Sequence, residues 1–382
     1  MPGSKPRILI LSYTPAVRSP RVLKQIAQFG GHYHVTTVAY GPAPAGVDEH
    51  IELTFPPATT GLARVPGIFS LLLLVRAHRA YAALEPVDAA TFARLDGGEW
   101  DVVVAHDAQT MAVASRLASR HGVLCDMHEY APEQSEPSLK WNLLERPYFM
   151  WLCKTFVSRA RAVTTVSQGI VEAYRKTFGI NADLVVNATP YQELAPTPTG
   201  TTIRLVHSGV AAPDRRLEVL IEGVLASIAD VTLDLYLVDG TAGYADALRE
   251  LAKGDARIRF QAAVPYAELI GTLARYDLGV HLIAPTSFNN EWSLPNKFFD
   301  FIQARLGVII GPSPAMVDYV ERYALGEVAD GFEATDFARV LDGLDATTVD
   351  RWKAASHAAA RELSGEEQAK VWGRIVSEMV AT

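Results

Sequence analysis

Cysteine is nearly absent: the 382 residues contain two, Cys125 and Cys153. That excludes a disulfide framework and a cysteine-based metal site, and the apolar surroundings of both mark them as buried thiols. Positive charge is not in excess either. The net charge is −8, so no nucleic-acid surface is expected. No apolar run is long enough for a membrane span; the strongest, Ile68 to Val75, is too short to cross a bilayer. Met1 to Arg7 leads straight into Ile8-Leu9-Ile10-Leu11, without the charged and then apolar pattern of an export signal. The expectation is a cytoplasmic protein, soluble or peripheral at the inner face of the membrane. Glycine is missing from the loop Ser12 to Arg21, and neither internal repeats nor low-complexity tracts occur.

What is present is an ordinary globular composition, 49% apolar and 20% charged, long enough for two or three domains. Short β-rich runs alternate with helical patterns. The strands expected in the first half are Ile8–Leu11, Val35–Ala39, Asp101–Ala105, Val123–Met127, Ala162–Val166 and Leu184–Val186. Helices are expected over Pro20–Phe29, Ala108–Arg120, Leu139–Arg159 and Gln168–Phe178. The stretch Asn187–Thr202 is rich in Pro, Thr and Ala without apolar periodicity and reads as a linker. A second series follows, with strands Ile203–Val206, Thr232–Val238, Ile258–Gln261, Leu278–Leu282 and Val308–Ile310. Its helices are Leu217–Ala226, Ala245–Ala252, Ala267–Arg275 and Asn296–Ala304, and the tail from Thr347 is helical. Continuous apolar strands separated by helices imply parallel sheets covered on both faces. The fold class is therefore α/β, two facing doubly wound Rossmann-like domains. Ligands of such sheets bind beyond the carboxyl ends of the strands, which makes a cleft between the domains the default site.

The most informative window runs from Asn289 to Ile302. An irregular polar segment enters Pro295, which is tolerated in a first helical turn because its missing N–H has no partner there. The helix N-terminus offers free N–H groups and a positive dipole end to phosphate. Lys297 adds a cation, Asp300 lies one turn on, and Phe298, Phe301 and Ile302 form the apolar stripe. A diphosphate at one end and a ribose at the other would suit this layout. A solvated Lys/Asp pair on an ordinary helix is the equal alternative on this window alone.

With that layout, several fragments acquire a shared meaning: Ser19-Pro20-Arg21-Val22-Leu23-Lys24, Ala105-His106-Asp107, Asp126-Met127-His128-Glu129-Tyr130 and Val163-Thr164-Thr165-Val166-Ser167 in the first half. His207-Ser208-Gly209, Arg215-Arg216-Leu217-Glu218 and Leu294-Pro295-Asn296-Lys297-Phe298-Phe299-Asp300 follow in the second. In order and spacing the chain resembles a retaining glycosyltransferase of the GT-B fold, of the family-4 class that includes many bacterial polysaccharide and glycolipid enzymes. The expected domains are 1–190 on the acceptor side and 200–362 on the nucleotide-sugar side. A terminal helix, 363–382, returns to the first.

The resemblance implies that Arg215 and Lys297 hold the donor diphosphate, with Gly209 as the small residue that lets backbone approach it and Asn296 at the same helix start. It makes Asp300 the acid that bonds the ribose. The family's other acid falls at position 292, which here is Trp292, a departure. Glu291 is one residue away. Otherwise the sugar contacts come from backbone and from Asn289, Asn290 or Ser293. His128, at a strand end, is implied near the acceptor and the anomeric carbon, with His106, Asp107 and Glu129 beside it. A metal site can be drawn from these four, but the family generally uses protein cations instead, so neither a metal nor any other cofactor is expected. Arg18 and Arg21 would meet an acidic acceptor, Arg21 being equally a solvated residue of a first helical turn. Val65–Leu84 and Trp141–Phe156 have the composition of interfacial helices, though core packing is the favoured expectation. The function implied is metal-independent transfer of a sugar from a nucleotide diphosphate sugar, UDP first and GDP second, to a hydroxyl acceptor that is a saccharide, lipid-linked or small. An epimerase of the same fold and a noncatalytic transferase-like binding partner are the alternatives.

Overall fold

The unbroken apolar run Ile8 to Leu11 can bury both faces of a strand only inside a covered parallel sheet. That is where it lies in the computed structural model, which describes residues 5–54 and 67–382. The first sheet has seven strands: β1 (Arg7–Pro15), β2 (His34–Tyr40), β3 (Glu49–Leu53), β4 (Val102–His106), β5 (Val123–Asp126), β6 (Ala162–Thr165) and β7 (Asp183–Leu184), in the order β3-β2-β1-β4-β5-β6-β7. The second has six: β8 (Ile203–Ala211), β9 (Val231–Asp239), β10 (Ile258–Gln261), β11 (Leu278–His281), β12 (Gly307–Ile310) and β13 (Gly326–Val328), in the order β10-β9-β8-β11-β12-β13. Every pairing is parallel. The α/β doubly wound expectation thus holds for both sheets. The strand order reverses between β1 and β4 in one and between β8 and β11 in the other, the crevices where such folds bind ligands.

The chain divides into two compact units. One comprises Met1–Asn187, Ser287–Asn289 and Gln368–Thr382; the other comprises Ala188–Thr286 and Asn290–Glu367. In the first unit, Trp372, Ile375, Val376 and Met379 of the last helix (Gly365–Ala381) join Ile8, Ile10, Val102, Val104 and Leu124 in one core. In the second, Leu205, Leu233, Leu235, Leu278, Val280 and Ile309 pack with Leu220, Ile221 and Phe337 from the covering helices. The linker carries neither helix nor strand from Val185 to Thr202. Its path is fixed by Arg305, a buried left-handed residue (φ 64°) whose guanidinium donates to the carbonyls of Leu194 at 3.2 Å and Gln192 at 2.5 Å.

The differences from the sequence reading have local causes. β1 continues through Pro15, so Ser12–Pro15 is strand rather than loop. β3 (Glu-His-Ile-Glu-Leu) and β13 were not anticipated; both are edge strands, whose exposed polar residues hide an apolar signal. Helices over Pro314–Tyr323 and Ala334–Asp342 were also missed. The expected helix Leu139–Arg159 is broken: Trp141–Glu145 forms a wide π-type turn and Arg146–Thr155 a separate α-helix. Pro147, which lacks an N–H and clashes with the preceding turn, sits near the start of the new helix, where it is tolerated. Of the two stretches expected to be core, Trp141, Tyr148, Phe149 and Leu152 are buried, but Leu71, Leu74, Val75 and Leu143 are exposed. Residues 65 and 66 of the first stretch lie outside the described residues. Among those described, no helix is long and apolar enough to cross a membrane.

Candidate functional site

Two polar clusters occupy the carboxyl ends of the strands, one in each unit. In the first, β5 ends on Asp126, whose side chain is fully buried. Arg21 reaches it from the helix Pro20–Phe29 with Nε at 3.0 Å and Nη2 at 2.5 Å, and Gln25, one turn on, donates from Nε2 at 2.9 Å. Thr164 donates its hydroxyl at 2.6 Å, and Trp372 of the last helix donates to that hydroxyl at 3.3 Å. Burial alone would raise the Asp126 carboxyl, but Arg21 and the neighbouring histidines pull it below its ordinary value. Arg21 is 3% exposed, which corrects the expectation of a solvated or acceptor-facing arginine: its charge is consumed inside the protein. Four hydrogen bonds from three residues leave the carboxylate saturated.

The Gln25 amide gives its NH₂ to Asp126, so its oxygen faces His106, and His106 Nε2–H donates to it at 2.9 Å. The other nitrogen of His106 then accepts from His128 Nε2–H at 2.9 Å. Burial, followed by the charge of His128, lowers His106 to about 3, so its ring stays neutral. His128 is an outer member, its side chain 28% exposed. Asp107, the first residue of the helix Asp107–Ala114 after β4, fixes it: Oδ1 accepts the His128 backbone N–H at 3.0 Å, and Oδ2 stands 3.6 Å from Nδ1. Asp107 itself holds a positive φ of 63°, strain of the kind that collects at functional sites. Glu129 is pushed up to about 7, by burial and then by Asp107, so it exchanges a proton near neutrality. The structure thus brings His106, Asp107 and His128 together. Arg18 is exposed in the turn Ala16–Arg18. His106, Asp126 and His128 have metal-like spacing among the described residues. Their donor atoms are nevertheless bound to one another, to Arg21 and to Gln25, so a cation there would have to displace that network.

The second cluster surrounds a cavity of about 270 Å³, lined by Gly209, Arg215, His281, Asn290, Ser293 and Lys297, among others. The helix Asn296–Gln303 is seated on β11 by contact: a Cβ on Gly279 would lie 2.2 Å from the Phe301 ring. Phe298, Phe299, Phe301 and Ile302 are all buried, which fixes the rotation of the helix and therefore the place of Lys297. Lys297 Nζ lies 3.3 Å from His207 Nε2. His207 donates Nδ1–H to the Val280 carbonyl at 2.8 Å, so Nε2 is the acceptor for the ammonium. His281 stacks parallel to His207, with ring centroids 6.2 Å apart, and its Nδ1 is buried without a partner. Burial and the lysine charge hold both rings below the usual histidine value. Burial first, and Arg215 second, lower Lys297 to about 8. Among the described residues no carboxylate stands within ion-pair distance of Lys297, and Arg215 has only Asp214 at 3.5 Å on an exposed edge. A Cβ on Gly209 would lie 2.6 Å from Lys297 Nζ, so this glycine makes room for the ammonium itself.

Other named residues stand apart from that cavity. Asp300 is 3% exposed and accepts from Thr189 at 2.5 Å and Tyr266 at 3.4 Å. Asn296 is exposed, and neither it nor Glu291 lines the cavity, whereas Asn290 and Ser293 do. Asn289 belongs to the first unit, where its amide exchanges two hydrogen bonds with the Tyr130 backbone at 2.7 and 3.1 Å. The sequence reading gave no role to Gln25, Asp126, His207 or His281. The available signal was a polar residue after an apolar run: Asp126 and His281 end their strands, His207 follows the run Ile203–Val206 inside β8, and Gln25 has no such signal.

Residues 15–188 match the family model of the glycosyl transferase 4-like domain. No curated protein matches the sequence. Among solved structures, the chain is similar to Alr3699/HepE of Anabaena in complex with UDP and glucose, at 14% identity and TM-score 0.66, covering 97% of this chain and 99% of that one. Sucrose-phosphate synthase from Thermosynechococcus elongatus is similar at 14% identity and TM-score 0.70, covering 99% and 100%. A glycosyltransferase from Rickettsia africae aligns at 12% identity and TM-score 0.65, covering 98% and 99%. These likenesses show the fold, the GT-B class of paired doubly wound domains.

Proposed function

We propose that the chain is a retaining glycosyltransferase that moves a sugar from a nucleotide diphosphate sugar, UDP before GDP, to a hydroxyl acceptor in glycan, glycolipid or glycoconjugate synthesis. One observation carries the reading: two cations, one of them half-buried Lys297, line a cavity at a strand-order switch point, and among the described residues no carboxylate stands within ion-pair distance of that lysine. A half-buried charge without a close counter-ion is costly, and a diphosphate is the anion that helix N-termini and paired cations favour. UDP is the first choice because HepE, of the same fold, is described with UDP bound. The family match over residues 15–188 supports the same class.

In this reading the second unit holds the donor. Lys297, Arg215 and the N–H groups at Asn296–Lys297 take the charge that grows on the departing diphosphate. Asp300 bonds the ribose after exchanging Thr189 or Tyr266 for its hydroxyls. Asn290 and Ser293 serve the sugar in place of an acid at position 292. The first unit serves the acceptor: His128, held between His106 and Asp107, orients it, and a leaving-phosphate oxygen takes its proton. Because the metal-like trio is internally satisfied, transfer is proposed to need no metal. Incubation with UDP- and GDP-sugars in the presence of chelator tests this. Release of UDP or GDP is expected; an isomerised sugar alone would mean an epimerase, and no conversion with retained binding a noncatalytic binder.

A further inference from the structure

The largest cavity described in the first unit, about 930 Å³, belongs to neither cluster. That is the size of a small-molecule pocket. Its walls include Tyr13, Phe69, Leu73, Tyr81, Trp141 and Tyr148. The rings are held against one another, Tyr81 to Tyr148 at 4.5 Å and Phe69 to Tyr81 at 5.4 Å between centroids, so the apolar surface is preformed. Apolar surface also continues outward from the same segments: Leu74 and Val75 follow Leu73 at 64% and 59% exposure, and Leu139 and Leu143 flank Trp141 at 79% and 64%. Arg76 ties the two segments by donating to the Leu143 carbonyl at 2.8 Å.

The polar groups inside are acids. Asp88 is 4% exposed and accepts from Tyr13 at 2.5 Å; Glu85 is half-buried beside it in the lining. Neither has an ion-pair partner among the described residues, whereas Glu145 is matched by Lys140 at 3.2 Å. Burial raises both acids, Asp88 to about 6, and their carboxylate oxygens accept from hydroxyls at pH 7. A phosphate entering here would meet two like charges in a half-dry site. The pocket also shares walls with the His128 cluster: Gln109 lies two residues past Asp107 on one helix, and Gln134 bonds Glu129.

We propose that this cavity binds the apolar body of the acceptor, and that the acceptor is an amphiphile with an uncharged, hydroxyl-bearing head. The acceptor role rests on the transferase reading; the binding does not. The test is tryptophan fluorescence titrated with n-octyl β-D-glucoside below its micelle concentration, n-octyl phosphate and glucose. A Trp141→Phe control identifies the reporting ring. The glucoside should give a saturable change lost in that control, the phosphate should bind roughly ten-fold more weakly because of the like charges, and glucose should give nothing. Ser70→Trp, a substitution of an exposed lining residue, should block the glucoside, and Asp88→Asn should narrow the gap to the phosphate. No saturable change, equal affinity for glucoside and phosphate, or indifference to Ser70→Trp overturns the proposal. UDP binding measured by calorimetry on the same sample separates the readings. Glucoside without UDP binding sinks the transferase and leaves the pocket; UDP without glucoside binding does the reverse.

Discussion

The two polar clusters solve opposite problems. Around Asp126 every charge is answered: Arg21, Gln25, Thr164 and the neutral His106 close a network to which His128, held by Asp107, adds an outward face. Around Lys297 the charge is only partly offset: it touches a neutral histidine, is repelled by Arg215 and is attracted by Asp300 from beyond ion-pair distance. A closed network positions a side chain, and an open one needs a ligand. Stability and binding should therefore separate between the clusters.

Breaking the closed network should cost most. Asp126→Ala strands the buried Arg21, and the loss should be about 3–5 kcal/mol in a denaturant midpoint experiment. A loss under about 1 kcal/mol would mean that the network is not what holds this end of the sheet. The outward member behaves differently. His128→Ala, with a partly exposed ring, should leave the melting temperature near wild type and cut transfer by roughly 100-fold or more. Normal turnover per folded molecule, with a lower melting temperature, would make His128 a structural cap.

On the open side, Arg215→Met should leave folding intact and weaken UDP by about 1.5–3 kcal/mol, the range for charge-assisted bonds. Asp300→Asn keeps the shape and should lower UDP affinity while leaving pyrophosphate affinity unchanged; equal losses for both ligands would assign Asp300 to the lysine rather than to the ribose. The smallest effect is expected from Gly209→Ala. Its Cβ displaces only the flexible end of Lys297, so UDP should weaken by roughly 1 kcal/mol with no loss of stability, and unchanged affinity would show that the ammonium has another place to go.

The sequence carried the fold because alternation of apolar strands and amphipathic helices is a local pattern, and the helices Pro20–Phe29 and Gln168–Phe178 fall where that pattern begins and ends. Edge strands β3 and β13 escaped it because one flank faces no neighbour and polar residues are free there. For the site, Lys297, Arg215 and His128 were legible as chemistry at loop-helix junctions or strand ends. Their partners were not: Gln25 is a polar residue in an amphipathic helix, and its place between Asp126 and His106 depends on contacts about a hundred residues away in sequence. The same distance hid the fate of Arg21, a first-turn arginine by sequence and a buried counter-ion by packing.

The most direct measurement is UDP affinity by calorimetry for the wild type and Lys297→Met at pH 7 and pH 9. The free lysine has a lowered value of about 8 and the bound diphosphate must raise it, so its contribution is full below pH 8 and fades as pH rises through the bound value. Wild-type affinity should fall up to about ten-fold across that interval. The variant should bind roughly 10- to 150-fold more weakly at pH 7, lack the wild-type fall and be at least as stable. Equal affinity of the two proteins at pH 7 would contradict the account: the half-buried cation would then not be waiting for a diphosphate.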